Sequence, residues 1–437
     1  MPGTLHSMAT PHPALPSTAY ANDEGILIIG GCPVTELARR FGTPLYVYDL
    51  ASLREALRAC RDGLDGAGTA HYACKAYLAR WLTALVRAEG LDLDACSESE
   101  LRMGLAHDFP AARIRLHGNN KPAGALRLAI QAGIGAVVVD NIPELQRLIT
   151  VAADEGSWAP VLLRLNPGIE AHTHRYLQTG VLDSKFGLPI EGGDAARAVR
   201  LALRYPQFIT LLGYHAHIGT QILDLEPFRL LMRRLIAFAL EVERDSGFWP
   251  AQLSPGGGIG ITYTDEQPPA LADWLAALRA ELRALEPARQ PRLSVEPGRA
   301  LVGPAGVALY RVGTIKRVPG GHIYAAVDGG MADNIRPALY GARYAALAAT
   351  RMHQAPTQLL TIAGPYCESG DILVHDAELP AMEPGDLIAL PASGAYCLPM
   401  SSNYNGALRP AVVLVHEGTM RPVQRRQTVE DLLALDV

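Results

Sequence analysis

Lysine is the residue this chain most nearly does without. Four lysines, Lys75, Lys121, Lys185 and Lys316, stand among 39 basic residues, so arginine carries nearly every ordinary positive charge. Other shortages narrow the function. The six cysteines (32, 60, 74, 96, 367 and 397) form no CxxC pair and do not cluster with histidine. That argues for a reducing cytoplasm, and against a disulfide framework or a structural zinc site. No apolar run approaches the roughly 20 residues of a membrane span. A net charge of −5 leaves no basic footprint for nucleic acid or for an acidic membrane surface. The N-terminus, rich in Pro, Ser, His and Ala, lacks the apolar core of a signal peptide, so residues 1–24 read as a disordered tail. What remains is an ordinary globular composition, 49% hydrophobic and 19% charged over 437 residues, enough for two or three domains.

From residue 69 a rhythm sets in. Apolar, strand-like segments recur at 69–75, 91–96, 114–117, 136–140, 161–165, 211–217, 252–254 and 292–296, and helical patterns such as Tyr77–Glu89 and Pro143–Glu155 fall between most of them. Eight alternating βα units point to a (β/α)8 TIM barrel over residues 49–300; a doubly wound sheet is the competing arrangement, but no Rossmann-type start is present. After residue 300 the texture changes to short strands with Gly and Pro turns, an all-β domain over 301–437 of sandwich or barrel-like kind. The strands within 25–48 are expected to join it.

Active sites of such barrels gather at the C-terminal ends of the strands. Here almost every strand ends on a polar residue: Lys75; Asp94 and Ser97; His117, Asn119 and Asn120; Asp140 and Asn141; Arg164 and Asn166; His215 and His217; the Gly256-Gly257-Gly258 run; and Glu296 with Gly298 and Arg299. Singly, a strand-end histidine is more often satisfied structure, and an Asp or Ser there often only caps the next helix. Eight on one rim are hard to explain as structure. In a chain that otherwise uses arginine, Lys75 suggests an amine that must lose its proton to act as a nucleophile, which a guanidinium cannot do. Its bland alternative is a snorkelling strand-end lysine. The glycine run would let backbone N–H groups close on a phosphate. Glu296 is a carboxylate for a protonated ring nitrogen. A nucleophilic lysine, a phosphate cradle and a ring-nitrogen partner are the requirements of pyridoxal 5'-phosphate. Around them, Arg164 is placed to order the carboxylate, Asp94 to pair with Lys75, and His217 to stack on the ring.

The motifs HYACKA, LHGNNK, RLNPGI, HTHRYLQTG, DSKFG, HAHIGTQI, PGGGIGI, EPGRALV, VDGGM, IRPALY, GPYCESGDIL and GAYCLPMSSNYNG occur in this order. Together they resemble the fold type III pyridoxal phosphate decarboxylases, and among these the diaminopimelate decarboxylases, over nearly the whole chain from about residue 25. The resemblance implies a barrel plus a β domain, decarboxylation of meso-2,6-diaminopimelate to L-lysine, and a cytoplasmic homodimer with shared active sites. It also implies residue roles. Lys75 matches the Schiff-base lysine, His217 the ring-stacking histidine and Glu296 the ring-nitrogen partner. Gly256, Gly257, Gly258, Gly298, Arg299 and Tyr396 match cofactor contacts. Cys367, from the second subunit, matches the proton donor to the carbanion. Arg299, Arg336, Tyr340 and Tyr396 match substrate contacts, the arginines holding a distal carboxylate. Glu368, also from the second subunit, matches the reader of the distal amino group.

Some positions depart from the family pattern. Ser97-Glu98-Ser99-Glu100 stands where SGGE is usual, and Pro255, Ala300 and Cys397 replace commoner residues. These leave room for a paralogue acting on another diamino or dicarboxylic amino acid. A racemase would set an arginine against the ring nitrogen, an ornithine-type decarboxylase would lack CESGD, and a catalytically dead relative would have lost Lys75 or Cys367.

Overall fold

The structure, a computed structural model, describes residues 12–169 and 184–437. The HTHRYLQTG motif lies outside the described residues. The chain divides into two compact units. One comprises Leu57–Gly260 and Pro268–Ala300; the other takes the chain up to Ala56, Ile261–Gln267 and Leu301–Val437.

The first unit is a closed parallel barrel. Its strands are β1 (Gly68–Ala73), β2 (Asp92–Ala95), β3 (Ile114–Leu116), β4 (Ala136–Val139), β5 (Ala159–Asn166), β6 (Ile209–His215), β7 (Gln252–Gly256) and β8 (Arg292–Val295). Each pairs in parallel with the next, and β8 closes on β1 with Leu293 opposite Gly68. Strands covered on both faces read as continuous apolar runs, and β4, AVVV, is buried throughout. Helices return the chain between strands. The helix Ile142–Asp154 shows why the sequence folds so: Asn141 caps it by accepting from Glu144 N, Pro143 sits in its first turn, and Leu145, Leu148, Ile149 and Ala152 form its buried stripe.

The second unit is β-rich. Its main sheet runs, in spatial order, through Ile372–Leu379, Gln358–Ala363, Ile323–Val327, Gly306–Arg317, Leu45–Asp49, Ala411–His416 and Thr419–Gln424. The early strand Leu45–Asp49 thus lies between two strands from the end of the chain, antiparallel to one and parallel to the other.

Residues 12–24 differ from the tail expected there. Tyr20–Ala21 pairs with Leu27–Ile29, and Leu15 and Ala19 enter the same apolar cluster as Leu27, Leu45, Val307 and Val413. A few small apolar side chains anchor a segment whose Pro and Ser content hides them.

Candidate active site at the barrel rim

Side chains alternate along a strand, so residues two apart point the same way. Six barrel strands build two polar layers inside the barrel, four of them supplying both. The deeper layer holds His71, Asp92, Arg115, Gln252 and Ser294; the layer nearer the C-terminal ends holds Asp94, His117, His215, Ser254 and Glu296.

Glu296, just past β8, is the centre of the outer layer and is buried. Its Oε2 lies 2.8 Å from His215 Nε2, and its Oε1 accepts from Ser254 Oγ at 3.2 Å. His117 Nε2 and an Arg115 guanidinium nitrogen each stand 3.6 Å from Oε1, and His117 Nε2 is also 3.2 Å from Asp94 Oδ1. Burial alone would raise the Glu296 carboxyl, but its pairing with His215 and His117 outweighs burial and holds the group well below its usual range. The opposite holds for Asp94, where burial, helped by the Glu296 charge, wins over His117 and raises the carboxyl. Burial pushes both His117 and His215 down. His215 Nδ1 is buried with no hydrogen-bond partner among the described residues, which fits a neutral ring donating only through Nε2. The ligand atoms of His117, His215 and Glu296 lie within 4.8 Å of one another, a donor set that a cation could also use; here the direct 2.8 Å bond joins two of them.

Lys75 sits not on the strand but on the short 3-10 turn Cys74–Ala76 that follows β1, and it is exposed while Cys74 and Ala76 are buried. An exposed amine here is accessible to a ligand. His217 is half-buried two residues past β6; burial first, then the charges of Lys75 and Arg164, drive its pKa well down, so the ring is neutral. Arg164, near the end of β5, is held 3.8 Å from Asp140 and stacks on Phe186 with its guanidinium carbon 4.4 Å from the ring centre.

The glycine run follows the prediction of close approach. Gly256 has φ +71 and Gly258 φ +116, both in the region glycine favours. A Cβ on Gly256 would come within 2.7 Å of Ala216 O and 2.9 Å of His217 Nδ1, and one on Gly298 within 3.0 Å of Ala73 Cβ. Glycine is required here because the loop packs directly against neighbouring backbone and side chains, where a Cβ would not fit. Exposed amine, ionised buried carboxylate and glycine cradle on one unit fit pyridoxal phosphate. Arg299 is buried nearby on the same unit and donates to Thr220 Oγ1 at 3.2 and 3.3 Å.

The remaining sequence-predicted residues belong to the β-rich unit. Arg336 opens the short helix Arg336–Tyr340 and is buried against Tyr263 and Tyr344, donating to both hydroxyls, with its guanidinium carbon 4.8 Å from the Tyr263 ring centre. Tyr340, at the end of that helix, is half-buried. Cys367 and Glu368 are exposed; Cys367 Sγ is 3.2 Å from Asn405 Oδ1 and 3.7 Å from Tyr404 OH, and Tyr404 donates to Glu368. Tyr396 has φ +62, a strained value for a tyrosine that fixes its direction.

Two rim residues prove structural: Ser97 caps the helix Glu98–Ala106, and Asn141 caps Ile142–Asp154. The altered 97–100 segment is likewise accommodated, with Glu98 paired to Arg102 at 2.6 Å and Glu100 accepting from Cys96 N at 2.6 Å. Sequence reasoning missed Tyr263, Tyr344, Tyr404 and the deeper layer around Arg115.

Comparison with known proteins agrees with this geometry. Residues 50–303 match the family described as "Pyridoxal-dependent decarboxylase, pyridoxal binding domain". The chain is 44% identical over 431 residues to the diaminopimelate decarboxylase of Bacillus subtilis, covering 97% of this chain and 98% of that protein. It is 42% identical over 432 residues to that of Corynebacterium efficiens, covering 97% and 94%. Among solved structures, diaminopimelate decarboxylase from M. jannaschii in complex with L-lysine superposes with a TM-score of 0.88 at 32% identity, covering 96% of this chain and 98% of that one. The chain belongs to the pyridoxal-dependent decarboxylases, and within them to the diaminopimelate decarboxylase family.

Proposed function

We propose that this chain decarboxylates meso-2,6-diaminopimelate to L-lysine and carbon dioxide, the last step of lysine synthesis. The observation that carries the reading is the near-full-length likeness to diaminopimelate decarboxylases in a chain that keeps the lysine, the ionised carboxylate and the glycine cradle together. Pyridoxal phosphate, when bound, supplies the electron sink for the pair left on the α-carbon as the carboxylate departs. Lys75 would hold it through its amine, Gly256 to Gly258 and Gly298 would receive its phosphate, Glu296 would accept from its ring nitrogen, and neutral His217 would pack on its ring.

Arg299 and Arg336 hold the substrate's far carboxylate, with Tyr340 and Tyr396 beside it, and Glu368 reads the far amino group. A two-arginine clamp selects a substrate with a second carboxylate over ornithine or lysine, whose far end is a bare amine. Cys367 Sγ returns a proton to the α-carbon; the S–H bond breaks as the C–H bond forms, leaving a thiolate that takes a proton from solvent. Cys367 and Glu368 are exposed on the single chain, which supports their delivery by a second copy in a homodimer. Among the described residues no helix is long and apolar enough to cross a membrane.

The test is carbon dioxide release from purified protein with pyridoxal phosphate, offered meso-diaminopimelate, ornithine, arginine and lysine separately. Release from diaminopimelate alone, abolished in Lys75→Ala, is expected. Release from another amino acid and none from diaminopimelate would move the assignment to a paralogous substrate.

A further inference from the structure

We propose that Arg115 is a positioning residue for the reaction: from the deeper layer of the barrel it fixes the place of the Glu296 carboxylate and keeps it ionised. The inference rests on the reading of Glu296 as partner of the cofactor's ring nitrogen.

Arg115 is the middle residue of β3, opposite Asp94 on β2, and points into the barrel two residues before His117. It is buried, with 4% of its surface exposed. A buried guanidinium is expensive unless its donors are used. Here one terminal nitrogen donates to Ser294 Oγ and stands 3.6 Å from Glu296 Oε1, while the other donates to Gln252 Oε1 at 2.6 Å. Ser294 is in turn 3.4 Å from His71 Nδ1, and His71 Nε2 is 3.6 Å from Asp92. Two strands, β7 and β8, hold this guanidinium beneath Glu296, and β1 and β2 brace Ser294 behind it.

Its charge matters because the nearer groups do not supply a permanent one. Burial drives His117 and His215 toward the neutral form; His215 orients the carboxylate through its 2.8 Å hydrogen bond, while His117 Nε2 stands 3.6 Å off. An arginine cannot lose its charge in a protein. A carboxylate kept ionised in turn keeps the ring nitrogen of the cofactor protonated, the condition for the ring to accept electrons. The alternative is purely structural: Arg115 only balances Asp92 and Asp94, both within its electrostatic reach.

The two are separated on holoenzyme loaded with pyridoxal phosphate labelled with 15N in the ring. Wild type is expected to show a protonated ring nitrogen across pH 6–9, and Glu296→Gln to lose it. Arg115→Met, of similar length and no charge, is expected to lose the ring proton at lower pH than wild type. Its kcat should fall on the order of 10-fold or more with KM within about twofold, since a group acting only on the transition state lowers kcat alone. Arg115→Lys should restore both in part. Should Arg115→Met not fold, Ser294→Ala removes one anchor of the guanidinium at small structural cost and is expected to shift the ring titration the same way. A folded Arg115→Met or Ser294→Ala holoenzyme with the wild-type 15N titration overturns the proposal. An unprotonated ring in wild type would instead overturn the reading of Glu296.

Discussion

His215 Nε2 and Glu296 Oε2 are 2.8 Å apart inside the barrel, on strands adjacent to β7 from either side, and Ser254 of β7 donates to the other carboxylate oxygen. Both partners are almost fully buried. A carboxylate so placed is oriented before any ligand arrives, which is the condition for it to act electrostatically without reorganising. Replacing Glu296 by Gln keeps the shape and removes the charge. We expect kcat for carbon dioxide release to fall on the order of 10²-fold, the scale of one preorganised electrostatic group, with the cofactor still bound. Retention of kcat within about threefold would remove Glu296 from its role.

The buried histidines make stability depend on pH. His71, His117, His215 and His217 are all lowered from 6.5, burial being the first cause in each. Each ring binds its proton more tightly in the unfolded chain, so stability is full above about pH 6.5 and falls as pH drops below it toward the lowered folded values. Every such ring adds a slope of up to about 1.4 kcal/mol per pH unit. Asp333, pushed up to about 6 by burial, acts in the opposite sense, its contribution being lost as pH rises through about 6. Burial also raises Asp92, Asp94, Glu100, Asp140, Glu144 and Asp371, which act in the same sense as Asp333. The histidine share is therefore read as a difference: urea midpoints of the cofactor-free protein should fall more, or rise less, between pH 7 and pH 5 than those of a His71→Asn variant. Equal pH profiles in the two proteins would contradict the neutral-histidine picture.

Gly256→Ala places a methyl against Ala216 O and His217 Nδ1 on a backbone at φ +71. Strain and overpacking together predict a loss of about 1–3 kcal/mol in stability and weaker retention of pyridoxal phosphate, read by thermal melting and by dialysis against phosphate. Unchanged cofactor retention would argue against the cradle.

If Cys367 is delivered by a second copy, two inactive variants can rescue each other. Lys75→Ala and Cys367→Ala subunits, unfolded and refolded together in equal amounts, should regain about one quarter of wild-type activity, since half the dimers are mixed and each mixed dimer holds one intact site. Proton return by a positioned group is worth roughly 10²–10⁴-fold, so the unmixed Cys367→Ala background is low. No rescue would place Cys367 in the site of its own chain.

The barrel was legible because parallel strands covered on both faces read as short apolar runs with helices between, and β4 is such a run from end to end. Lys75 stood out through the scarcity of lysine rather than through any local pattern. Other features carried no such mark. Arg115 and Ser294 lie in strands, where a polar residue at alternate positions looks like a solvent-facing one, and only closure of the barrel turns it inward. The segment Ile261–Gln267 belongs to the β-rich unit although it follows a barrel strand, so the partnership of Tyr263 with Arg336 spans 73 residues and leaves no sequence trace. The strand Thr419–Gln424 is exposed and contains Pro422, which suits an edge and gives it little apolar alternation to be read by.

The most direct test of the account is where the cofactor attaches. Holoenzyme reduced with borohydride fixes pyridoxal phosphate irreversibly to the lysine that holds it, and peptide mass mapping then has four candidates, Lys75, Lys121, Lys185 and Lys316. The account predicts the pyridoxyl mass on Lys75 alone, at about one per chain, and its absence in Lys75→Ala. Label on Lys121, whose amine is buried 2.7 Å from Glu144, or on any lysine other than Lys75, would contradict it.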